Sequence, residues 1–249
     1  MSNPSEQQVA LVAITKHGCE LVEKAARELT HATIAVPVKF AENFTAYQDR
    51  LHAYEGPSKA QVANLFAQFD QIVFFVSIGA VVRLIAPHLK GKETDPGVLV
   101  VDDAAQYVIP VLSGHVGGAN EFAERLATIL GAQAVLTTAS DARKTIAVDI
   151  LGRELGWKVE APKWNLIRVS AHVVNDEPVA LIQECGSKNW WQRKTPLPEN
   201  IHLFQRFEDV DLARHKSVLW ITRQDIPQST WDELEERLIV YRPPAGQGE

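Results

Sequence analysis

Cysteines are scarce in this sequence, and long apolar runs are absent. Only Cys19 and Cys185 occur among 249 residues, and neither belongs to a Cys-x-x-Cys pair, so we expect no zinc site and no dithiol redox centre. Sparse, separated thiols are typical of the reducing cytoplasm, which is the location we expect. No apolar run approaches the ~18 residues that a membrane-spanning helix needs, so we expect no membrane partner.

A surplus of positive charge is also missing. Lys and Arg number 25 against 31 Asp and Glu, which gives a formal net charge of −6. A nucleic-acid backbone or an anionic membrane needs a broad basic surface, so neither partner is expected. An acidic chain of this kind binds an anion only through a local pocket.

Several familiar motifs are absent. The histidines show no metal-ligand spacing, so we expect no bound metal, and no Gly-x-Ser-x-Gly nucleophile elbow occurs. The chain contains neither a P-loop nor a Gly-x-Gly-x-x-Gly dinucleotide motif. The first eight residues are polar and lack the basic and apolar regions of a secretory signal peptide.

Short apolar segments alternate with segments of helical periodicity through residue 143. This order predicts an α/β fold with a mostly parallel sheet and helices on both faces, spanning 1–143. A smaller α+β domain is expected over 144–241, followed by a mobile tail at 242–249. Within that domain we predict a helix at 146–155 and two strands, 171–174 and 179–183, around a polar turn.

The most distinctive segment is Ser-Gly-His-Val-Gly-Gly-Ala-Asn at 113–120, between a predicted strand and a predicted helix. Glycines allow main-chain N–H groups to approach a ligand closely, and a helix N-terminus favours an anion. The segment therefore contributes Ser113, Gly114, His115, Gly117, Gly118 and Asn120 to the candidate site. The alternative is a tight strand-to-helix turn whose glycines serve packing alone.

Ligands of α/β sheets bind beyond the carboxyl ends of the strands, so polar residues at other strand ends also belong to the candidate site. These are Gly79, Arg83, Asp102, Thr137, Thr138 and Asp141, together with Lys90 and Asp95 of the loop 90–97. Each has a structural alternative as a cap, a turn or a solvated surface residue. Trp190 and Trp191 either stack on a flat ligand or pack as an ordinary aromatic pair.

Five segments occur in a characteristic order: 77–90, 94–103, 108–120, 135–141 and 147–149. Their order and spacing resemble the cobalt-precorrin-5A hydrolase family (CbiG) of anaerobic cobalamin biosynthesis. The specific likeness covers 77–149, and the flanking regions fit the family's N-terminal and central regions only loosely.

The resemblance implies hydrolysis of the ring-A δ-lactone of cobalt-precorrin-5A, with loss of acetaldehyde to give cobalt-precorrin-5B. Cobalt would arrive with the corrinoid substrate, so no cofactor is expected. Lactone opening needs a base for water and donors for an oxyanion. We expect His115 or Asp102 to be that base, and the N–H groups of Gly117 and Gly118 to be the donors. The other residues of the candidate site would bind substrate.

The resemblance also leaves alternatives open. Family members usually carry a further C-terminal domain, which would here be a separate polypeptide partner, a fusion elsewhere, or absent. The chain would then be a hydrolase, alone or with that partner, or a non-catalytic corrinoid-binding module. An unrelated α/β phosphate-binding protein is a third alternative. A homodimer stays open.

Overall fold

The computed structural model describes residues 7–246. Contacts within the chain divide it into two compact units between Thr137 and Thr138, a few residues before the domain boundary expected at 143. Residues 1–6 of the polar N-terminal segment and residues 247–249 of the expected tail lie outside the described residues.

The first unit contains a seven-stranded sheet. In chain order its strands are β1 (Val9–Ala13), β2 (Thr33–Pro37), β3 (Leu51–Tyr54), β4 (Gln71–Phe75), β5 (Gly97–Val101), β6 (Tyr107–Leu112) and β7 (Gln133–Ala134). The spatial order is β3-β2-β1-β4-β5-β6-β7. All neighbours are parallel except β5 and β6, which pair antiparallel.

Because of this one antiparallel pair, the strands of the sheet end at two opposite edges. We call the edge at the carboxyl ends of β1–β5 the major edge, and the edge at the carboxyl ends of β6 and β7 the minor edge. Val98 of β5 lies opposite Leu112 of β6, and Val101 lies opposite Val108, so the two strands end at opposite edges. Residues that follow β5 and residues that follow β6 are therefore separated by the length of a strand, roughly 15 Å.

Helices cover both faces of the first sheet, as expected. They are α1 (Lys16–Glu28), α2 (Val62–Gln68), α3 (Ile78–Ile85) and α4 (Ala119–Leu130). Alternate strand residues point to opposite faces, so one set packs with α1 and α4 and the other with α2 and α3. Three 3₁₀ segments complete the unit, at Val38–Arg50, Ser58–Gln61 and Ala86–His88.

The second unit has its own five-stranded sheet. Its elements are α5 (Ala139–Ala142), β8 (Lys158–Glu160), α6 (Lys163–Val174), β9 (Val179–Gln183), β10 (Ile201–Phe204), β11 (Ser217–Ile221), α7 (Gln228–Leu234) and β12 (Leu238–Arg242). The spatial order is β10-β9-β11-β12-β8, and only β8 runs antiparallel. Apolar side chains from α6 and α7 cover opposite faces.

The α/β class with mostly parallel sheets is confirmed, whereas several local predictions for the second unit are wrong. Residues 171–174 form the last turn of α6, because Val169 and Val173 continue its buried stripe, so the predicted hairpin does not exist. Residues 146–155 form turns and a short 3₁₀ segment, since Gly152 adopts a left-handed conformation with φ of 72°. Arg242 belongs to β12 and pairs with Glu160 at 2.6 Å, so the tail was predicted to start too early.

Candidate functional site

The glycine-rich loop lies at the minor edge and has a demanding backbone. Ser113 adopts φ of 54°, and Gly118 adopts φ of 77° immediately before α4. Gly117 faces the start of the loop so closely that a Cβ atom there would lie 2.4 Å from the Cβ of Ser113 and 2.8 Å from its carbonyl oxygen. These contacts require glycine at 117, because the opposing atoms are main chain or directly attached to it.

The main-chain N–H groups at the end of this loop are engaged by the loop itself. Gly118 donates to the carbonyl of His115 at 2.9 Å, and Asn120 donates to the carbonyl of Gly114 at 3.0 Å. The expected role of the Gly118 N–H as an oxyanion donor is therefore wrong. The end of the loop is therefore a closed turn, in which the N–H groups of Gly118 and Asn120 already have partners.

Gln71, which was not among the predicted site residues, forms a hydrogen bond that holds this loop. Gln71, the first residue of β4, is fully buried, and its side-chain amide donates to the carbonyl of Gly117. Its neighbour in the sheet is Gly97, where a Cβ atom would collide with the Gln71 side chain. A polar residue at the start of an otherwise apolar strand was the available signal.

His115 is half-buried in the loop, and its main-chain carbonyl accepts from the N–H of Gly118. Its neighbour Ser113 donates from Oγ to the carbonyl of Asp95 at 2.9 Å. The carboxylate of Asp95 in turn accepts from the N–H of Lys90 at 3.0 Å, so Asp95 organises its own loop. The minor edge thus brings together Ser113, His115, Asp95 and the exposed Lys90.

Asp102 lies at the major edge, so it does not share a site with His115. Its carboxylate caps the turn between β5 and β6, accepting from the N–H of Tyr107 at 2.6 Å and from that of Ala104 at 3.3 Å. The expectation that the polar residues at these strand ends lie on one side of the sheet is therefore wrong for His115 and Asp102, which remain the two predicted alternatives for the base. It assumed that all strands run in one direction, and β6 does not.

Gly79 and Arg83 also lie toward the major edge, on the helix that follows β4. The exposed Arg83 side chain donates from Nη1 to the carbonyl of Gly79 at 2.7 Å, which stabilises the first turn of α3. Thr137 follows the short strand β7 and belongs to the minor edge. The predicted binding residues of the first unit therefore divide between two edges of one sheet.

Thr138 and Asp141 belong to the second unit. Asp141 accepts from the Thr138 hydroxyl and forms an ion pair with Arg193 at 2.7 Å, in which its side chain is 14% exposed. These contacts make Asp141 a fixed partner of Arg193. The loop that carries Arg193 also carries Trp190 and Trp191.

A cleft of about 440 Å³ opens at the major edge, at the ends of β1, β2 and β3. It is lined by Lys39, Tyr54 and Ser58, and the Tyr54 and Ser58 hydroxyls lie 2.8 Å apart. Burial raises the pKa of Tyr54. None of the predicted site residues lines this cleft, because the segments that form it lie outside the recognised motif.

Cysteine thiols and clusters of metal-binding side chains are two features that often carry chemistry. Burial raises the pKa of the Cys19 thiol to about 11, which leaves it protonated and poorly nucleophilic. Within residues 7–246, no three or more His, Cys, Asp or Glu side chains are placed to hold a metal ion. Within the same range, no helix has the length and apolarity to cross a membrane.

Two family models match consecutive parts of the chain. The model for the N-terminal region of cobalamin synthesis protein G matches residues 60–141, and the model for the central region of cobalamin biosynthesis matches residues 146–243. The first match contains the entire glycine-rich loop together with Gln71, Asp95 and Asp102. The second match covers most of the second unit.

Curated relatives agree with these matches. Cobalt-precorrin-5A hydrolase of Priestia megaterium is 39% identical over 234 residues, which is 94% of this chain and 62% of that protein. Cobalt-precorrin-5A hydrolase of Salmonella typhimurium is 28% identical over 77% of this chain and 50% of that protein. The chain therefore spans between half and two thirds of the length of these relatives.

Proposed function

The chain belongs to the cobalamin biosynthesis G family, and from this premise we propose that it is a cobalt-precorrin-5A hydrolase. It would open the ring-A δ-lactone of that cobalt-corrinoid and release acetaldehyde, giving cobalt-precorrin-5B. Two relatives that carry this name support the proposal. The chain spans only part of the length of these relatives. Whether it acts alone or together with a separate polypeptide is therefore a question that the experiment below addresses.

The observation that carries the proposal is the way in which the loop presents His115. Its backbone is held by internal hydrogen bonds and by Gln71, so the imidazole stands on a rigid support at the carboxyl end of β6. Of the side chains gathered at the minor edge, imidazole is the one suited to accept a proton near neutral pH. We therefore assign the role of general base to His115 and withdraw it from Asp102.

In this scheme His115 takes a proton from a water molecule as the water oxygen attacks the lactone carbonyl carbon. The carbonyl oxygen becomes an oxyanion, for which the Gly117 N–H is the remaining donor of the predicted pair. Collapse breaks the ring C–O bond, leaving a carboxylic acid and an alkoxide. The alkoxide then forms the aldehyde carbonyl of acetaldehyde, and the electron pair of the broken C–C bond passes to the macrocycle, which takes up a proton.

The substrate has several acidic side chains, and the minor edge offers cationic and hydroxyl groups for them. Lys90 stands on its exposed loop next to Asp95, and Thr137 follows β7. Cobalt belongs to the substrate, so we propose no separate cofactor. We also propose a cytoplasmic reaction, in keeping with the two free thiols.

A corrinoid-binding module is the second candidate, and one observation favours it. The chain covers 62% of the Priestia relative, so the remainder could supply catalytic groups from a separate polypeptide. A general phosphate-binding role is less suitable, because the N–H groups of Gly118 and Asn120 are engaged within the loop.

The decisive experiment is to incubate the purified chain anaerobically with cobalt-precorrin-5A and to measure acetaldehyde. Release by the chain alone would support a self-sufficient hydrolase. A change in the corrinoid absorption spectrum without acetaldehyde would support the binding module instead. The absence of both would contradict the proposed function.

A further inference from the structure

The second unit contains a cleft that the proposed chemistry does not use. It has a volume of about 190 Å³ and lies between the irregular stretch 145–155 and the loop 189–193. Its aliphatic lining comes mainly from the first of these segments, and its aromatic lining comes from Trp190 and Trp191. The entire cleft belongs to the second unit, so its geometry is defined within one compact body.

The aromatic wall is held in place by its indole N–H groups. Trp190 donates from Nε1 to Oε1 of Gln183 at 2.9 Å, and Trp191 donates from Nε1 to the carbonyl of Thr195 at 2.7 Å. The two rings meet edge to face, with centroids 6.2 Å apart. Because both polar groups of the indoles are bonded within the protein, the rings present fixed apolar surfaces to the cleft.

Guanidinium groups supply its polar rim. Arg193 donates from one Nη to Asp141 at 2.7 Å and stands 5.9 Å from the centre of the Trp191 ring. Its other N–H groups have no hydrogen-bond partner among residues 7–246. Arg153 lines the cleft as well, and Glu154 is an exposed carboxylate at the rim. Although Asp141 is paired with Arg193, the other N–H groups of the guanidinium can donate charge-assisted hydrogen bonds to a carboxylate, which are stronger than those to a neutral amide.

A buried hydroxyl provides an independent sign of a ligand. Thr145 lines the cleft and is 3% exposed, yet its Oγ1 has no hydrogen-bond partner among the described residues. Buried hydroxyl groups are ordinarily satisfied, so an unpaired one next to a cavity calls for a partner that occupies the cavity. An oxygen atom of a ligand would meet this need.

We propose that this cleft binds the edge of one five-membered ring of the corrinoid, together with the carboxylate side chain on that ring. This binding takes no part in opening the lactone, and the inference rests on the proposed function. A cleft of about 190 Å³ suits a five-membered ring edge with a short carboxylate chain better than a whole macrocycle. The apolar part packs against Trp190 and Trp191. The carboxylate accepts from Arg193 and from the Thr145 hydroxyl.

The test uses the full chain labelled with 5-fluorotryptophan and observed by fluorine NMR. The Trp190 and Trp191 signals are assigned with the variants Trp190→Phe and Trp191→Phe. The probe is dicyanocobyrinic acid, a corrinoid with free carboxylate side chains, and the matched control is dicyanocobinamide, whose side chains are amides. Trp164, which is 68% exposed on α6 and does not line the cleft, reports nonspecific adsorption.

We expect the acid to shift the Trp190 and Trp191 signals while Trp164 stays unchanged, and we expect the amide to bind much more weakly. Equal shifts with both probes, shifts at Trp164 as large as those in the cleft, or no shift at all would overturn the proposal.

The variant Thr145→Val separates binding from folding. It replaces an unpaired hydroxyl by a methyl group of similar volume, so the chain should fold at least as well as the parent. Affinity for the acid should nevertheless fall roughly fivefold, the value of one hydrogen bond. Unchanged affinity would overturn the proposed contact. The two proposals can fail independently. If dicyanocobyrinic acid binds the cleft saturably but the chain releases no acetaldehyde, the hydrolase proposal fails and the binding proposal stands.

Discussion

The buried side-chain amide of Gln71 donates a hydrogen bond to the main-chain carbonyl of Gly117, 46 residues later in the chain. Gln71 begins β4, and Gly117 lies in the loop that follows β6. The bond therefore connects the first strand of the family match to the loop that carries His115. We therefore expect the position of the proposed base to depend on Gln71, which is fully buried beneath the loop.

Replacing Gln71 by Met tests this positioning role. Methionine has a similar length but cannot donate, so the Gly117 carbonyl loses its partner while the unpaired Oε1 of Gln71 disappears as well. We expect the free energy of unfolding to change by only about 1 kcal/mol and kcat to fall more than KM changes. Urea unfolding and acetaldehyde kinetics check both parts. A purely structural role predicts the reverse, a loss of stability with unchanged kcat.

Gly117→Ala should damage the loop directly. The new methyl group would meet the Ser113 Cβ at 2.4 Å, so the backbone must shift, at a cost of about 1–3 kcal/mol in stability. A displacement of His115 by about 1 Å is enough to lower activity roughly a hundredfold. Gly91→Ala is the matched control, because its methyl group would meet only Glu93 at an ordinary 3.6 Å. Equal behaviour of the two variants would contradict the assignment.

His115→Gln and Asp102→Asn distinguish the two residues that the sequence offered as alternatives for the base. Loss of a general base lowers kcat by roughly a hundredfold or more, which we expect for His115→Gln. Asp102→Asn keeps an oxygen that can accept from Tyr107, so it should retain near-parental kcat with a small loss of stability. Single-turnover acetaldehyde release by each variant measures the difference. A severe kcat defect in Asp102→Asn would restore it to the catalytic centre.

Much of the first unit was predictable because its strands are almost fully apolar. Segments such as Val9–Ala13 and Gly97–Val101 are buried on both faces, and only a sheet covered by helices on both sides uses such runs. The second unit was harder to predict. Its helix α6 exposes Trp164 and Ile167, so the apolar periodicity was weak, and its turns at 146–155 contain the apolar residues of a helix without its hydrogen bonds.

The composition of the site was more predictable than its arrangement. Ser113 does contact Asp95, and His115 lies in the same loop as Ser113. The direction of β6 was missed although a signal existed: only residues 102–106 connect β5 to β6, and parallel neighbours need a connection of about a dozen residues. That single reversal moved Asp102 to the other edge. Gln71 escaped notice because its role depends on a contact 46 residues away.

A pair of histidines should make the stability of the second unit depend on pH. Nδ1 of His202 lies 2.8 Å from Nε2 of the buried His215, whose own Nδ1 lies 2.8 Å from the carbonyl of Asp211. Burial, followed by the charges of His215 and Arg214, lowers the pKa of His202 below its ordinary 6.5. Protons therefore bind His202 more strongly in the unfolded chain than in the folded one. The contribution of His202 to the free energy of unfolding is complete above pH 6.5, and it is lost as the pH falls from 6.5 toward the pKa of the folded state.

His202→Gln removes this titration while keeping a donor for His215. Urea unfolding between pH 5 and pH 8 should show a shallower loss of stability in the variant than in the parent. Part of the loss should remain, because burial also lowers the pKa of His172. Parallel pH profiles for the two proteins would show that His202 does not contribute.

The hydroxyl of Tyr241 offers a prediction about the second core. Tyr241 is fully buried in β12 and donates to the carbonyl of Val148 at 2.8 Å, which ties the irregular stretch beside the 190 Å³ cleft to the sheet. Burial raises its pKa well above the ordinary value, so the hydroxyl stays protonated. Tyr241→Phe leaves a buried carbonyl without its donor, at a cost of about 1–3 kcal/mol in the unfolding of this unit.

Calorimetric unfolding measures that cost, and Tyr107→Phe is the control because the side chain of Tyr107 lies 43% exposed at the start of β6. The control should stay within about 0.5 kcal/mol of the parent. Because the bond holds the stretch that lines the cleft, Tyr241→Phe should also weaken binding of the carboxylate corrinoid, although Tyr241 does not line the cleft. A variant that unfolds as readily as the parent and binds the corrinoid equally well would mean that packing alone positions this stretch.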